Sequence, residues 1–495
     1  MHSTANPKIL ILGGGLDGLV AALSLRARGS NIDITVLRPP NLSAPLPDES
    51  TDAALPSFLH DFLGISPARL HHSVKPVWKL GSRLEWGPRE DFLLTYDPQF
   101  TQIPKGVTKA AGYYAAVEIQ DISRSAAFIR RDKAFPTGPL GKPALQGGYG
   151  YHLKSEPLLE LLETLAKEQG IQILDEEIIR VDSANGELRG VHLQQSGQLE
   201  ADLYVDASGQ AAAWIRGELG VEFLKFSSLI ADAWCAVRVP RPEGPIHPHT
   251  TFRTQPHGWS WQIEHEDSIQ VGQVFSSEHH AAEDIEALLR ETHPEASAPL
   301  RGTFQRGHVE TPWVGNVVAI GAAMGDAEPL VTGRLSQLAH ECRWLAELLE
   351  ACAFCPGEVE RQFYCRRTLA LRKEARDLTA LLHAHNHRLD TPFWITSRAQ
   401  AQFADLENFL AAYREIGPSP LLGASLPTQP SAYGLEGYLA LLIGLRLPFD
   451  NVHLTQPEET ERVHQAHRRH AQTAATALGV REILAATRTP SWNWS

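Results

Sequence analysis

The sequence predicts an α/β protein with a Rossmann-like dinucleotide-binding sheet, an additional β-sheet and a mainly helical C-terminal lobe. Three observations carry that prediction. Residues 8–12, KILIL, are an apolar run that ends in the glycines of GGGLDG at 13–18. LYVDASG at 203–209 and GNVVAIGAAMGDAEPL at 315–330 are later strand-like runs, each entering a turn of small residues. From about residue 335 onward helical patterns dominate.

The elements follow in order. KILIL reads as a buried strand, Leu and Ala recur at helical spacing over 16–28, and DITVL at 33–37 reads as a second strand. The opening is therefore a βαβ unit. Gly13, Gly15 and Gly18 form GxGxxG, with Gly14, Leu16 and Asp17 in the same turn. Glycines there let the backbone approach a pyrophosphate, and the helix N-terminus offers its N–H groups to the negative charge. A tight turn needing glycine only for packing is the competing reading. A second strand of this kind is expected to end in an acidic residue that accepts the ribose hydroxyls. Here Arg38 follows Leu37, and Pro39 and Pro40 come next. Arginine suits a phosphate, as in NADP sites, or marks a ribose held in another way.

SEPLLELLETLAKEQGIQIL at 155–174 reads as a helix feeding a strand, and 176–206 alternates like strands. These patterns divide the chain into a nucleotide-binding unit with interspersed substrate-side strands over 1–345 and a helical covering lobe over 346–495.

Composition is that of a soluble globular protein, with 43% hydrophobic and 21% charged residues. Lys+Arg 45 against Asp+Glu 58 leaves a formal charge of −13, which argues against nucleic acid as the main partner. The early apolar run is too short for a signal peptide, and the apolar stretch 437–445 is too short to cross a bilayer. A cytoplasmic location is expected. Five cysteines, with Cys352 and Cys355 in a CxxC, sit in a helical pattern and read as reduced, partly buried thiols and not as a zinc site. His383, His385 and His387 near a helix end, and the helical stripe His464, His467 and His470, read as solvated surface. No metal site is expected.

GWSWQI at 258–263 places Trp259 and Trp261 at i and i+2, on one face of a strand. Indoles so placed can wall off a reactive pocket, or simply fill a core. Glu264 follows and by parity faces away from both. Lys79 lies in WKLG and reads either as a surface lysine on an edge strand or as an amine in an apolar surround, which would disfavour the ammonium and make it a better nucleophile.

These stretches, in this order, resemble the flavin-dependent halogenases of the tryptophan halogenase family. The likeness begins at GGGLDG and runs through DESTDAALPSFLHDFLGI (48–65), WKLGSRLEW (78–86), GYHLKSEPLLELL (150–162) and ADLYVDASG. It continues through ADAWCAVRVP (231–240), GWSWQI, AIGAAMGDAEPLVTG (319–333), DTPFW (390–394) and YLALLIGLRLP (438–448). It implies an FAD-binding, Rossmann-like sheet of the GxGxxG flavoprotein type. FAD would be held by Gly13, Gly14, Gly15, Leu16, Asp17, Gly18, Glu49, Ser50, Thr51, Ala322 and Arg334. Reduced FAD would come from a separate flavin reductase, consistent with a chain that carries no second dinucleotide motif. A chloride or bromide would lie on the backbone amides of Thr332 and Gly333, where N–H groups give positive potential without a proton to lose. The resulting hypohalous acid would travel to Lys79, which delivers it to an indole, pyrrole or phenol, free or tethered. Trp259 and Trp261 would separate flavin from substrate.

The chain departs from the family pattern at Arg38, at Asp48 in place of a glycine, at Glu264 in place of a proline, and at Val331. There the family has a glutamate that works beside the lysine. Three readings follow: an aromatic halogenase, a flavin monooxygenase or oxidase on the same scaffold, and a non-catalytic flavin binder.

Overall fold

The computed structural model describes residues 6–40, 46–101, 104–107, 121–330, 333–429, 431–450, 456–489 and 492–494. Lys8–Leu12 is buried over four of its five residues, because parallel strands covered on both faces need a continuous apolar run. It pairs in parallel with Asp33–Leu37 and with Leu203–Asp206. Gln172–Leu174 extends the sheet beyond Asp33–Leu37, and Val317–Ala319 extends it beyond Leu203–Asp206, both in parallel. Trp313–Val314 closes that second edge in antiparallel sense, giving six strands. The helix Leu16–Arg28 packs between Ser155–Glu168 and Arg334–Ala351.

A seven-stranded sheet runs in the order Leu300–Thr303, Ala233–Pro240, Ser268–Phe275, Gly258–Glu264, His249–Gln255, Gly81–Glu85 and Phe92–Thr95. It is antiparallel except between His249–Gln255 and Gly81–Glu85. A three-stranded sheet joins Glu49–Ser50, Gly150–Leu153 and Val77–Lys79. It brings the segment around Glu49 to the strand that carries Lys79.

The expected α/β architecture is present, and every described regular element after Ala351 is a helix. The boundary expected at 345 falls inside the helix Arg334–Ala351, and one continuous hydrophobic core joins that helix to later ones such as Gly434–Gly444. No helix among the described residues is long and apolar enough to cross a membrane. All five cysteines are free, but Cys355 is exposed.

One surface expectation is overturned. His383 is fully buried near the end of the helix Glu358–Ala384. Its Nδ1 pairs with Ser397 Oγ at 2.7 Å, and its Nε2 lies 3.5 Å from Glu328 Oε2. Packing against the helix Pro392–Gln400 turns this histidine inward, while His387 remains exposed.

Candidate active site

A cavity of about 440 Å³ opens at the carboxyl ends of Lys8–Leu12 and Leu203–Asp206. That is where open α/β sheets bind ligands, and the size suits a small-molecule site, roughly 300–1,000 Å³. Its lining includes Gly13, Gly15, Leu16 and Asp17 from the first turn, then Glu49, Ser50, Ala322, Gly333 and Arg334.

The turn shows why glycine is needed at two of its positions and leaves the backbone open at a third. Gly13 has φ +116°, and a Cβ there would lie 2.2 Å from the Ala207 carbonyl oxygen. A Cβ on Gly18 would stand 1.7 Å from the Gly13 oxygen, so Gly18 serves close helix–strand packing. A Cβ on Gly15 would meet nothing within 4 Å, leaving its backbone open to the cavity ahead of the helix N-terminus. This cradle fits the pyrophosphate of a dinucleotide.

Asp17, Glu49, Ala322 and Arg334 form one network. Arg334 donates to Asp17 Oδ1 at 2.5 Å and to Glu49 Oε1 at 3.1 Å. Asp17 Oδ2 also accepts the Ala322 N–H at 3.2 Å, and Glu49 Oε2 accepts the Leu335 N–H at 3.3 Å. Burial pushes the Glu49 carboxyl up, and Arg334 opposes that shift.

Asp326 also lines the cavity and was not singled out from sequence, although an acid in the Gly-Asp-Ala after a buried strand is a visible signal. Burial pushes its carboxyl up to about 6, against Arg372 and Arg334.

On the opposite side, Trp259 and Trp261 both line the cavity together with Ile263, as the alternation of Gly258–Glu264 requires. Trp259 is wholly buried, its ring 6.1 Å from that of Trp261, and its Nε1 donates to Glu328 Oε2 at 2.6 Å.

Lys79 does not line the cavity. Ser50 faces the cavity, whereas the carbonyl of the next residue, Thr51, accepts Lys79 Nζ at 3.0 Å and the Tyr96 hydroxyl at 2.7 Å. The step from Ser50 to Thr51 thus separates lysine from cavity. Gly150, the strand partner of Lys79, leaves room for this arrangement: a Cβ there would lie 2.6 Å from the Thr51 oxygen. Lys79 is 2% exposed, and burial brings its pKa down to about 7 while Asp52 pulls the other way. From the cavity side, Ser50 Oγ pairs with Thr250 Oγ1 at 2.6 Å, and Thr250 Oγ1 with His152 Nε2 at 2.8 Å. Burial holds His152 neutral, with the Lys79 charge adding to that effect.

Gly333 is the N-cap of the helix Arg334–Ala351, and a Cβ on it would lie 2.1 Å from the Ser50 oxygen. Thr332 and Val331 lie outside the described residues. Each of the other three departures has its own partner. Asp48 is buried between Arg238, at 2.9 Å, and His265, at 2.9 Å. Glu264 is buried against Arg241 and Gln262, facing away from the indoles, and its strand stays in register. Arg38 is held by Asp175 and Glu163.

Residues 8–457 match the family model described as tryptophan halogenase. The chain is 24% identical over 490 residues to tryptophan 6-halogenase SttH of Streptomyces toxytricini, covering 89% of this chain and 92% of that protein. It is 25% identical over 447 residues to tryptophan 7-halogenase RebH of Lentzea aerocolonigenes, covering 82% of each. Among solved structures, MibH, a lathipeptide tryptophan 5-halogenase, superposes with a TM-score of 0.88 at 26% identity, over 98% of this chain and 94% of that one. BrvH, a flavin-dependent halogenase from Brevundimonas sp. BAL3, shares the fold with a TM-score of 0.85 at 24% identity, over 98% of this chain and 100% of that one.

Proposed function

The chain belongs to the tryptophan halogenase family, and from that premise we propose that it halogenates an electron-rich aromatic ring, with Lys79 as the residue that delivers the oxidant. The observation that carries the reading is a buried amine, brought to a pKa of about 7, held one peptide away from a cavity walled by Trp259 and Trp261. An ordinary surface lysine has neither feature.

When bound, reduced FAD with dioxygen and a halide supplies hypohalous acid. This chain's own residues do the rest. The turn 13–18 and the Asp17–Arg334–Glu49 network support FAD binding, and Gly333 at a helix N-terminus supports an anion. Trp259 and Trp261 exclude water and substrate from the flavin side. Lys79 in its neutral form presents a lone pair to the oxidant, while the Thr51 carbonyl fixes the direction of the amine. The carboxylate whose charge bears on Lys79 is that of Asp52.

The test is incubation with FAD, a separate flavin reductase, NADH and bromide against a panel of indoles, pyrroles and phenols. The expected result is a product bearing the bromine isotope doublet by mass spectrometry. Hydroxylated product formed independently of halide would replace this reading with a monooxygenase. Bound FAD with no product of either kind would leave a flavin binder.

A further inference from the structure

We infer that Asp175 is the carboxylate that meets the adenosine ribose of the dinucleotide, and that Arg38 is the residue that positions it. The inference rests on the FAD-binding reading above and concerns a part of that site no motif in the chain reveals. In βαβ dinucleotide sites the ribose lies beyond the end of the second strand and needs a hydrogen-bond acceptor for its hydroxyls. Position 38 holds that place but carries only donors, since a guanidinium has no acceptor.

The neighbouring strand supplies the missing oxygen. Gln172–Leu174 runs parallel to Asp33–Leu37 with Leu37 opposite Leu174, and the Arg38 N–H donates to the Leu174 carbonyl at 2.8 Å. Asp175 therefore emerges at the same level as Arg38, one strand over. Arg38 grips it with two bonds, Nε to Oδ1 at 2.5 Å and Nη2 to Oδ2 at 3.1 Å. The aliphatic stem of Arg38 lies directly against the nucleotide turn: a Cβ on Gly14 would be 2.5 Å from its Cδ. The pair is thus tied to the turn on one side and to the adjacent strand on the other.

Neither side chain lines the cavity itself, and of the two Asp175 is the more open to a ligand. The Asp175 side chain is 64% exposed and the Arg38 side chain 35%. A carboxylate has about four lone-pair sites, so two remain free after the bidentate grip. The Arg38 hydrogen bond also holds the Asp175 carboxyl below the usual carboxylate range. Arg38 itself has no charge to spare for a 2′-phosphate. Its Nη1 donates to Glu163 at 2.9 Å, and the other Glu163 oxygen takes Lys167 at 2.7 Å. Each cation in the cluster already has a carboxylate, so the site selects a dinucleotide with a free ribose diol.

The test is a titration of the full-length apoprotein with FAD and with an FAD analogue lacking both adenosine ribose hydroxyls, followed by flavin fluorescence. The wild type is expected to prefer FAD. Asp175→Asn should weaken FAD about tenfold and bind the two ligands alike, because the lost bond is one to a charged acceptor. Arg38→Ala should move the same ratio in the same direction, with the apoprotein melting temperature unchanged for Asp175→Asn. An Asp175→Asn variant that keeps the wild-type preference between the two ligands would overturn the inference. A wild type that binds neither ligand would instead sink the FAD-binding reading itself.

Discussion

The Trp259 indole N–H donates to Glu328 Oε2 at 2.6 Å inside a fully buried cluster. That bond fixes one wall of the cavity to the segment that ends in Gly333, and through His383 it touches the helices Glu358–Ala384 and Pro392–Gln400. Glu328→Ala leaves a buried N–H unpaired and is expected to destabilise the protein by about 3 kcal/mol. Glu328→Gln keeps an acceptor and should cost about 1 kcal/mol or less. Urea unfolding of both variants checks the difference, which equal losses would contradict.

Lys79→Met is expected to abolish bromination, by at least about 100-fold, without loss of stability. The Thr51 carbonyl keeps the Tyr96 hydroxyl at 2.7 Å when the amine is gone, so no buried acceptor is orphaned. A thioether of similar length also removes the burial cost of the ammonium. Melting temperature and product yield, measured on the same preparation, should therefore move apart. A variant that still brominates at the wild-type rate removes Lys79 from the mechanism.

The lowered lysine pKa gives both activity and stability a pH signature. Rate should rise through about pH 7 as Lys79 loses its proton, because the neutral amine is the form that meets the oxidant. Between about 7 and the ordinary lysine value of 10.5 the folded chain binds fewer protons at this site than the unfolded chain. Stability contributed by the group therefore increases with pH over that window, and the gap between Lys79→Met and wild type narrows. Asp52 favours the ammonium, so Asp52→Asn should move the rate midpoint to lower pH. Asparagine retains an oxygen for the Ala54 N–H that Asp52 now caps at 3.0 Å. A pH–rate profile with a falling limb near 7, or an unmoved midpoint in Asp52→Asn, would contradict the assignment.

Local patterns made much of this legible. Residues 8–37 announce strand, turn and helix because short-range periodicity decides them, and the parity of Trp259, Trp261 and Glu264 follows from the pleat alone. What remained hidden depends on partners far apart in the chain. Arg38 and Asp175 are 137 residues apart, and only strand pairing makes them neighbours. His383 reads as surface from its spacing because nothing nearby in sequence announces Ser397 or Glu328. The burial of Lys79 likewise needs Gly150 across the small sheet, which no motif around WKLG reveals.

Gly333 packs against the Ser50 backbone, and replacing it should cost both folding stability and binding. Its φ of −61° is open to any residue, so the backbone does not demand glycine there. The space does: a Cβ would stand 2.1 Å from the Ser50 carbonyl oxygen, and that contact is to backbone, not to a flexible side-chain end. Gly333→Ala must push the Glu49–Ser50 strand away from the helix Arg334–Ala351, stretching the Arg334–Glu49 ion pair that lines the cavity. Overpacking of this kind costs about 1–3 kcal/mol. Because Ser50 faces the cavity and the carbonyl of the next residue, Thr51, holds Lys79, FAD affinity and bromination should fall together. Flavin titration beside the bromide assay checks this. Loss of bromination with FAD affinity intact would place the effect of Gly333 on the halide alone.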